Sequence, residues 1–74
     1  MFANLNAEFT KNNLTRRFIA DKLHINENTL RNKILGKQEF KLSEIQIILE
    51  LLPGKTMDYL FSKDKIGQRN EKEN

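Results

Sequence analysis

The chain has 74 residues, of which 38% are hydrophobic and 31% charged, so it has room for one small domain whose core is held together by packing. It contains no cysteine and a single histidine, which excludes a disulfide framework and leaves too few ligands for a zinc site. Its formal net charge is +3, and no apolar run approaches the roughly 20 residues that span a bilayer. We expect a cytoplasmic protein without cofactor, metal, membrane contact or small-molecule substrate.

The basic residues are concentrated in one part of the chain. Positions 11 to 41 hold eight basic and three acidic residues, a net charge of +5, which leaves −2 for the remainder. Such a distribution is typical of a protein that binds a polyanion, and it is equally consistent with a solvated basic surface. The sequence shows no glycine-rich phosphate loop and no pairing of a nucleophile with a base, so we do not expect an enzyme.

Two short helices are predicted before position 24. The first has apolar residues in steps of three and four, at Phe2, Leu5 and Phe9. It should end at Asn12 and Asn13, because asparagine tolerates the left-handed conformation at a helix C-terminus. Thr15 is a suitable N-cap for the second helix, which is expected to run to position 23 and to point three apolar residues inward: Phe18, Ile19 and Leu23.

Three more helices follow. Asn26 should cap a third helix from Glu27 to about Leu35, which points Leu30 and Ile34 inward and ends at Gly36. A fourth helix begins near Ser43 and should form the centre of the core with Leu42, Ile45, Ile48, Leu49 and Leu52. Pro53 and Gly54 end it, and Thr56 caps a short fifth helix that carries Met57, Leu60 and Phe61.

The pattern therefore predicts an all-α fold without strands. We assign positions 1–63 to one domain. Positions 64–74 form a charged tail with one aliphatic residue, Ile66, which we predict to be disordered because it buries too little apolar surface.

The most informative stretch is TRRFIADKLHINENTLRNKILG, at positions 15–36. Two short helices joined by a turn of three or four residues are typical of a helix-turn-helix. Ala20 suits the closest approach of the two helices, and the angle between them would be filled by Ile19, Leu23, Ile25 and Leu30. His24 occupies the turn position where glycine is usual, so it must either adopt positive φ or change the turn.

With the flanking segments KQEFKLSEI and PGKTMDYLF, this stretch resembles the phage repressor and Cro-like (XRE-type) helix-turn-helix family over about positions 2–61. Within it, the chain is most similar to small regulators of phages and prophages of low-GC Gram-positive bacteria. The resemblance implies a compact five-helix, lambda-repressor-like domain in which helices two and three form the helix-turn-helix. It also implies a transcription regulator that binds a double-stranded DNA operator in the bacterial host cell, commonly as a homodimer. We expect the free protein to be monomeric and to pair on DNA.

The resemblance places the base-contacting residues on the outward side of the third helix, at Glu27, Asn28, Arg31 and Asn32, with Thr29 and Leu35 at its margins. Arginine suits guanine and asparagine suits adenine, whereas Glu27 either accepts from cytosine or stabilises the helix dipole. Phosphate contacts are expected from Arg16, Arg17, Lys33, Lys37, Gln38 and Lys41. The aromatic residues are interpreted as core rather than as base-stacking platforms: Phe18, Phe40, Tyr59 and Phe61.

A second hypothesis shares the fold. An antirepressor or repression modulator would bind another phage repressor protein, with or without DNA, and would look much the same in sequence. The carboxylate at Glu27, the small net charge and apolar exposure around Met57, Leu60 and Phe61 favour it. Under this hypothesis, charge reversal at Glu44, Glu50 or Asp58 should disrupt function.

Overall fold

The computed structural model describes residues 1–62, which form five α-helices and no strand. The helices are α1 (Ala3–Lys11), α2 (Arg16–Leu23), α3 (Glu27–Leu35), α4 (Leu42–Leu51) and α5 (Met57–Leu60). The all-α prediction is thereby confirmed for this part of the chain, and all five predicted helices are present. The predicted disordered tail at positions 64–74 lies outside the described residues.

The helix ends follow the predicted capping residues. Thr15 accepts a hydrogen bond from the backbone N–H of Phe18 at 3.1 Å, and Asn26 accepts one from Thr29 at 2.7 Å. Thr56 does the same for Tyr59 at the start of α5. Each of these side chains satisfies a backbone donor that the first helical turn leaves unpaired, so local chemistry sets where the three helices begin.

Residues 24–26 connect α2 to α3. His24 takes up the left-handed conformation, with φ 60° and ψ 40°, and its N–H bonds to the carbonyls of Ala20 and Asp21. Ile25 then donates to the Ala20 carbonyl at 3.0 Å. Of the two alternatives for His24, positive φ is therefore the correct one. The buried side chains of Ala20 and Leu30 lie in the core that the two helices share.

The core is formed by the inward sides of all five helices. Its members are Leu5, Phe9, Ile19, Ala20, Leu23, Leu30, Ile34, Ile48, Leu52 and Leu60. Three half-buried rings pack against the core with centroids 5.3 to 5.9 Å apart, and they join the start of the chain to the loop before α4 and to the end of α5: Phe2, Phe40 and Phe61. These edge-on and tilted contacts are favourable aromatic geometries.

Three predicted core residues lie at the surface instead. Phe18 is 41% exposed, because the core side of α2 is centred on Ile19 and Leu23, and Lys22 Nζ lies 5.3 Å from its ring centroid. Tyr59 is likewise exposed. Leu42 is 67% exposed, because the buried line of α4 runs in steps of four along positions 44, 48 and 52 and leaves the first residue of the helix outside.

No helix within residues 1–62 has the length and apolar character that crossing a membrane requires. The longest, α4, has 10 residues.

The conformation of His24 makes a testable prediction. We expect His24→Val to lower the free energy of unfolding by at least about 1 kcal/mol, because a β-branched residue is poorly tolerated at positive φ. His24→Gly should not lower the free energy of unfolding, because glycine adopts this conformation without a steric penalty. Urea denaturation at neutral pH measures both. Lys37→Val is the matched control, an exposed loop residue with negative φ, and should change stability by less than about 0.5 kcal/mol. Equal losses at positions 24 and 37 would contradict the prediction.

Candidate nucleic-acid interface

The four predicted base-contacting residues share one side of α3. Glu27, Asn28 and Arg31 are exposed, and Asn32 is half-buried beside them. Their positions differ by one, four and five, which keeps them on one surface of a helix, while Leu30 and Ile34 anchor the opposite surface in the core. The structure thus brings together the side chains that the sequence singled out on this helix, with Thr29 and Leu35 half-buried at its margins.

Five of the six predicted phosphate-contacting residues are exposed. Arg16 and Arg17 are the first two residues of α2, where the helix dipole is positive, and the others belong to the loop between α3 and α4: Lys37, Gln38 and Lys41. The loop is held against α3 by two hydrogen bonds, in which the backbone N–H groups of Lys37 and Gln38 donate to the Asn32 carbonyl at 2.8 and 3.3 Å. These bonds fix where the loop begins relative to the exposed side of α3.

Lys33 is the exception, and its predicted phosphate contact is corrected by the structure. The residue is only 5% exposed, and its Nζ lies 2.6 Å from Glu44 Oε1. Position 33 adjoins the buried positions 30 and 34, so its side chain points toward α4 rather than toward solvent. Its charge is neutralised inside the molecule and does not reach a partner at the surface.

Glu44 is a structural residue that the sequence analysis placed at the surface. Besides the Lys33 ammonium, its Oε1 accepts the backbone N–H of Lys41 at 2.9 Å, at the start of α4. Burial opposes ionisation of this carboxyl, but the hydrogen bonds from Lys33 and Lys41 outweigh it and hold the pKa of Glu44 below its usual value. The sequence did contain a pattern that indicates this role, because a glutamate three residues after an N-cap position is typical of a helix start.

Glu8 forms a second buried polar cluster that the sequence analysis did not identify. Its Oε2 accepts the Tyr59 hydroxyl at 3.1 Å and lies 3.6 Å from the ammonium groups of Lys11 and Lys55. Burial raises the pKa of Glu8, but the hydrogen bond from Tyr59 and the two positive charges together lower it below the usual value. The hydrogen bond to Glu8 in turn raises the pKa of Tyr59. This cluster joins α1 to α5 and the segment before it, a contact across about fifty residues that no local pattern indicates.

The ion pairs divide the basic residues into two groups. Within residues 1–62, the ion-paired cations are Lys11, Lys33 and Lys55. In the same part of the chain, the cations predicted to meet DNA form no ion pair with a carboxylate: Arg16, Arg17, Arg31, Lys37 and Lys41. Within residues 1–62, the lysine and arginine residues that form no ion pair therefore lie on α2, on the exposed side of α3 and in the loop after α3.

Two surface depressions flank these elements. One, of about 170 Å³, lies where α1, α2 and α3 meet and includes Arg16 and Arg31 in its lining. The other, of about 280 Å³, is lined by the rings of Phe2, Phe40 and Phe61 together with Ile45 and Met57. The first is bordered by guanidinium groups, and the second is largely apolar.

Comparison of the chain with models of known protein families, with curated proteins and with solved structures yields no match. In residues 1–62 no three histidine, aspartate or glutamate side chains are grouped so that they could hold a metal ion.

The buried pair predicts an asymmetric response to mutation. Lys33→Met should lower the free energy of unfolding by about 3 kcal/mol, because it leaves the Glu44 carboxylate buried without its counter-charge. Lys33→Met with Glu44→Gln should recover most of that loss, since the glutamine carbonyl still accepts from Lys41. Urea denaturation followed by circular dichroism compares the variants. A Lys33→Met protein as stable as the unmodified chain would show that the ammonium is not buried against Glu44.

The lowered pKa values of Glu8 and Glu44 predict acid sensitivity. A folded-state pKa below the unfolded value contributes stability that is complete above about pH 4.5 and is lost as the pH falls through the folded-state pKa. The free energy of unfolding should therefore decline as the pH is lowered from 5 to 3. Glu8→Gln should reduce the slope of this decline, whereas Glu50→Gln, at an exposed site, should leave it unchanged. Identical slopes in the two variants would rule out the Glu8 contribution.

Proposed function

We propose that the protein is a sequence-specific DNA-binding regulator of transcription, of the phage or prophage Cro or repressor type. In this proposal, α2 and α3 form the helix-turn-helix of a lambda-repressor-like domain, and α3 enters the major groove. The observation that carries the proposal is that the basic residues fall into an ion-paired group and an unpaired group. Lys11, Lys33 and Lys55 are paired with Glu8 or Glu44, whereas the cations at the start of α2, on the exposed side of α3 and in the following loop form no ion pair within residues 1–62.

The chemistry of the exposed side of α3 suits base edges. The amide side chains of Asn28 and Asn32 match the donor and acceptor pattern of adenine, and the guanidinium of Arg31 matches guanine or a phosphate. None of these three side chains is apolar, so packing in the protein core does not explain why they occur on this side of α3. Glu27 lies in the first turn of α3, where a carboxylate interacts favourably with the helix dipole and is also placed to accept from cytosine.

Contacts to the DNA phosphate backbone would come from the start of α2 and from the loop after α3. Arg16 and Arg17 begin α2, and Lys37, Gln38 and Lys41 belong to the loop that hydrogen bonds hold against the end of α3. Such contacts position a protein on the duplex without reading sequence. Five exposed basic residues, Arg31 included, imply that affinity falls several hundredfold between about 50 and 200 mM salt if each meets a phosphate.

A second candidate function is binding to another phage repressor protein. The observation that favours it is the exposure of Leu42 and Met57, at 67% and 48%, near the apolar depression that contains Met57 and Ile45. Other parts of that hypothesis are changed by the structure. Leu60 is fully buried and Glu44 is internal, so only Glu50 and Asp58 remain as exposed carboxylates for charge reversal.

The proposal is tested by titrating the purified protein onto duplex fragments from its own genomic neighbourhood across a salt series. We expect tight, salt-sensitive binding to one fragment, and we expect Arg31→Ala with Asn32→Ala to weaken it at least about thirtyfold, since each lost contact costs roughly 1 to 3 kcal/mol. Fluorescence anisotropy with labelled duplexes provides the affinity.

The matched control is Lys22→Ala with Gln46→Ala, which also removes one cation and one amide from exposed helix positions outside the proposed contact set. It should change affinity less than threefold, roughly the effect expected of an exposed site without a partner. If the folded protein binds none of the fragments, the DNA-binding proposal fails. In that case, loss of repressor binding by Leu42→Gln with Met57→Gln would support the second candidate.

A further inference from the structure

The depression between α1, α2 and α3 combines residues that are far apart in the sequence. It is open to solvent on one side, has a volume of about 170 Å³ and is lined by Met1, Asn6, Arg16, Arg31, Ile34 and Leu35. The apolar members form its walls, and two guanidinium groups and one amide provide the polar atoms. No acidic residue of the described chain lines it.

The polar side chains in this depression are not used by the fold. Arg16, Arg31 and Asn6 are exposed, and none of the three side chains has a hydrogen-bond or ion-pair partner among residues 1–62. The Asn6 backbone, by contrast, is bonded within α1 and to Phe2. The two guanidinium groups border one small depression and repel each other. An anion bound between them is attracted by both, which offsets this repulsion.

The geometry points to a single phosphodiester group of a DNA strand as the ligand of this depression. Guanidinium groups bind phosphate oxygens through paired N–H donors, and Asn6 adds an amide donor from α1. Arg16 is also the first residue of α2, so the positive end of that helix dipole reinforces the preference for an anion. The apolar walls formed by Ile34 and Leu35 exclude water from one side and strengthen these hydrogen bonds.

This inference rests on the proposed function and changes the role of one residue in it. Arg31 acts on the strand backbone together with Arg16 instead of reading a base, so sequence readout falls to Glu27, Asn28 and Asn32. Asn6 becomes a contact residue that no motif in the sequence indicates. The site joins α1 to the α2–α3 unit and therefore sets how deeply α3 enters the groove.

The test measures binding of Arg16→Ala, Arg31→Ala, Asn6→Ala and the double arginine variant to the preferred duplex and to an unrelated duplex of equal length. Each arginine variant should lose about tenfold in affinity for both duplexes alike, the loss expected for one charge-assisted hydrogen bond. Asn6→Ala should lose a few-fold without altering the salt dependence.

The salt dependence identifies the shared phosphate. In a plot of log affinity against log salt, the double Arg16→Ala, Arg31→Ala variant should change the slope by about 1, because one phosphate is released. The matched control, Arg17→Ala with Lys37→Ala, removes two cations outside this depression that are proposed to meet separate phosphates, and it should change the slope by about 2. A loss from Arg31→Ala that is confined to the preferred duplex would assign Arg31 to a base and overturn the inference, while the proposed function would stand.

A second measurement separates failure of the site from failure of the function. Inorganic phosphate and acetate are titrated separately into the isotope-labelled protein, and the Nδ2 amide signal of Asn6 and the Nε–H signals of Arg16 and Arg31 are followed by NMR. Phosphate should shift all three together, and Arg16→Ala should abolish the shift at Asn6. Phosphate shifts in a protein that binds no duplex would retain the anion site and reject the DNA proposal. Larger chemical-shift changes with acetate than with phosphate would assign the depression to carboxylates of a partner protein. No change with either anion would reject the site. Both results overturn the inference.

Discussion

The buried pair of Lys33 and Glu44 is the interaction on which the position of α3 depends. One carboxylate oxygen accepts from the Lys33 ammonium and from the backbone of Lys41, so it joins the end of α3, the following loop and the start of α4. Because burying either charge alone is costly, the two helices are held in one register in which both groups are paired. The other side of α3 is thereby turned outward, with the side chains of Asn28 and Arg31 in solvent.

A second polar cluster surrounds the buried carboxylate of Glu8. Glu8 gathers the Tyr59 hydroxyl and two ammonium groups, and it ties α1 to α5 where α5 itself has only four residues. A helix that short is not stable without tertiary contacts. The domain is thus stabilised by an apolar core and by two buried carboxylates, Glu8 and Glu44, each of which is paired with basic residues.

The remaining basic residues carry the functional argument. Arg16, Arg17, Arg31, Lys37 and Lys41 come from three different elements around α3 and the start of α2, and none of them forms an ion pair with a carboxylate of residues 1–62. Uncompensated charge on a small domain raises its self-repulsion and favours association with a polyanion. Two of these cations, Arg16 and Arg31, also line the same surface depression, although they belong to different helices.

Local chemistry along the chain determined the helices and their ends. Thr15, Asn26 and Thr56 cap as predicted because a capping side chain acts on a donor three residues away, and His24 could be limited to two alternatives because the turn demanded an unusual φ. The sequence also placed the exposed residues of α3 together, since helical periodicity alone groups positions 27, 28, 31 and 32. It predicted the core in outline but misplaced Phe18 and Leu42, whose burial depends on which neighbour each helix packs against.

Only the tertiary structure decided which charges are internal. Lys33 and Arg31 are two residues apart and have the same formal charge, yet one is paired with Glu44 inside the molecule and the other lines a surface depression. The difference arises from how α3 packs against α4, because a side chain becomes buried through contacts with residues distant in sequence, which periodicity does not specify. For the same reason, the meeting of Asn6 with Arg16 and Arg31, and of Glu8 with Tyr59, became visible only once the helices were assembled.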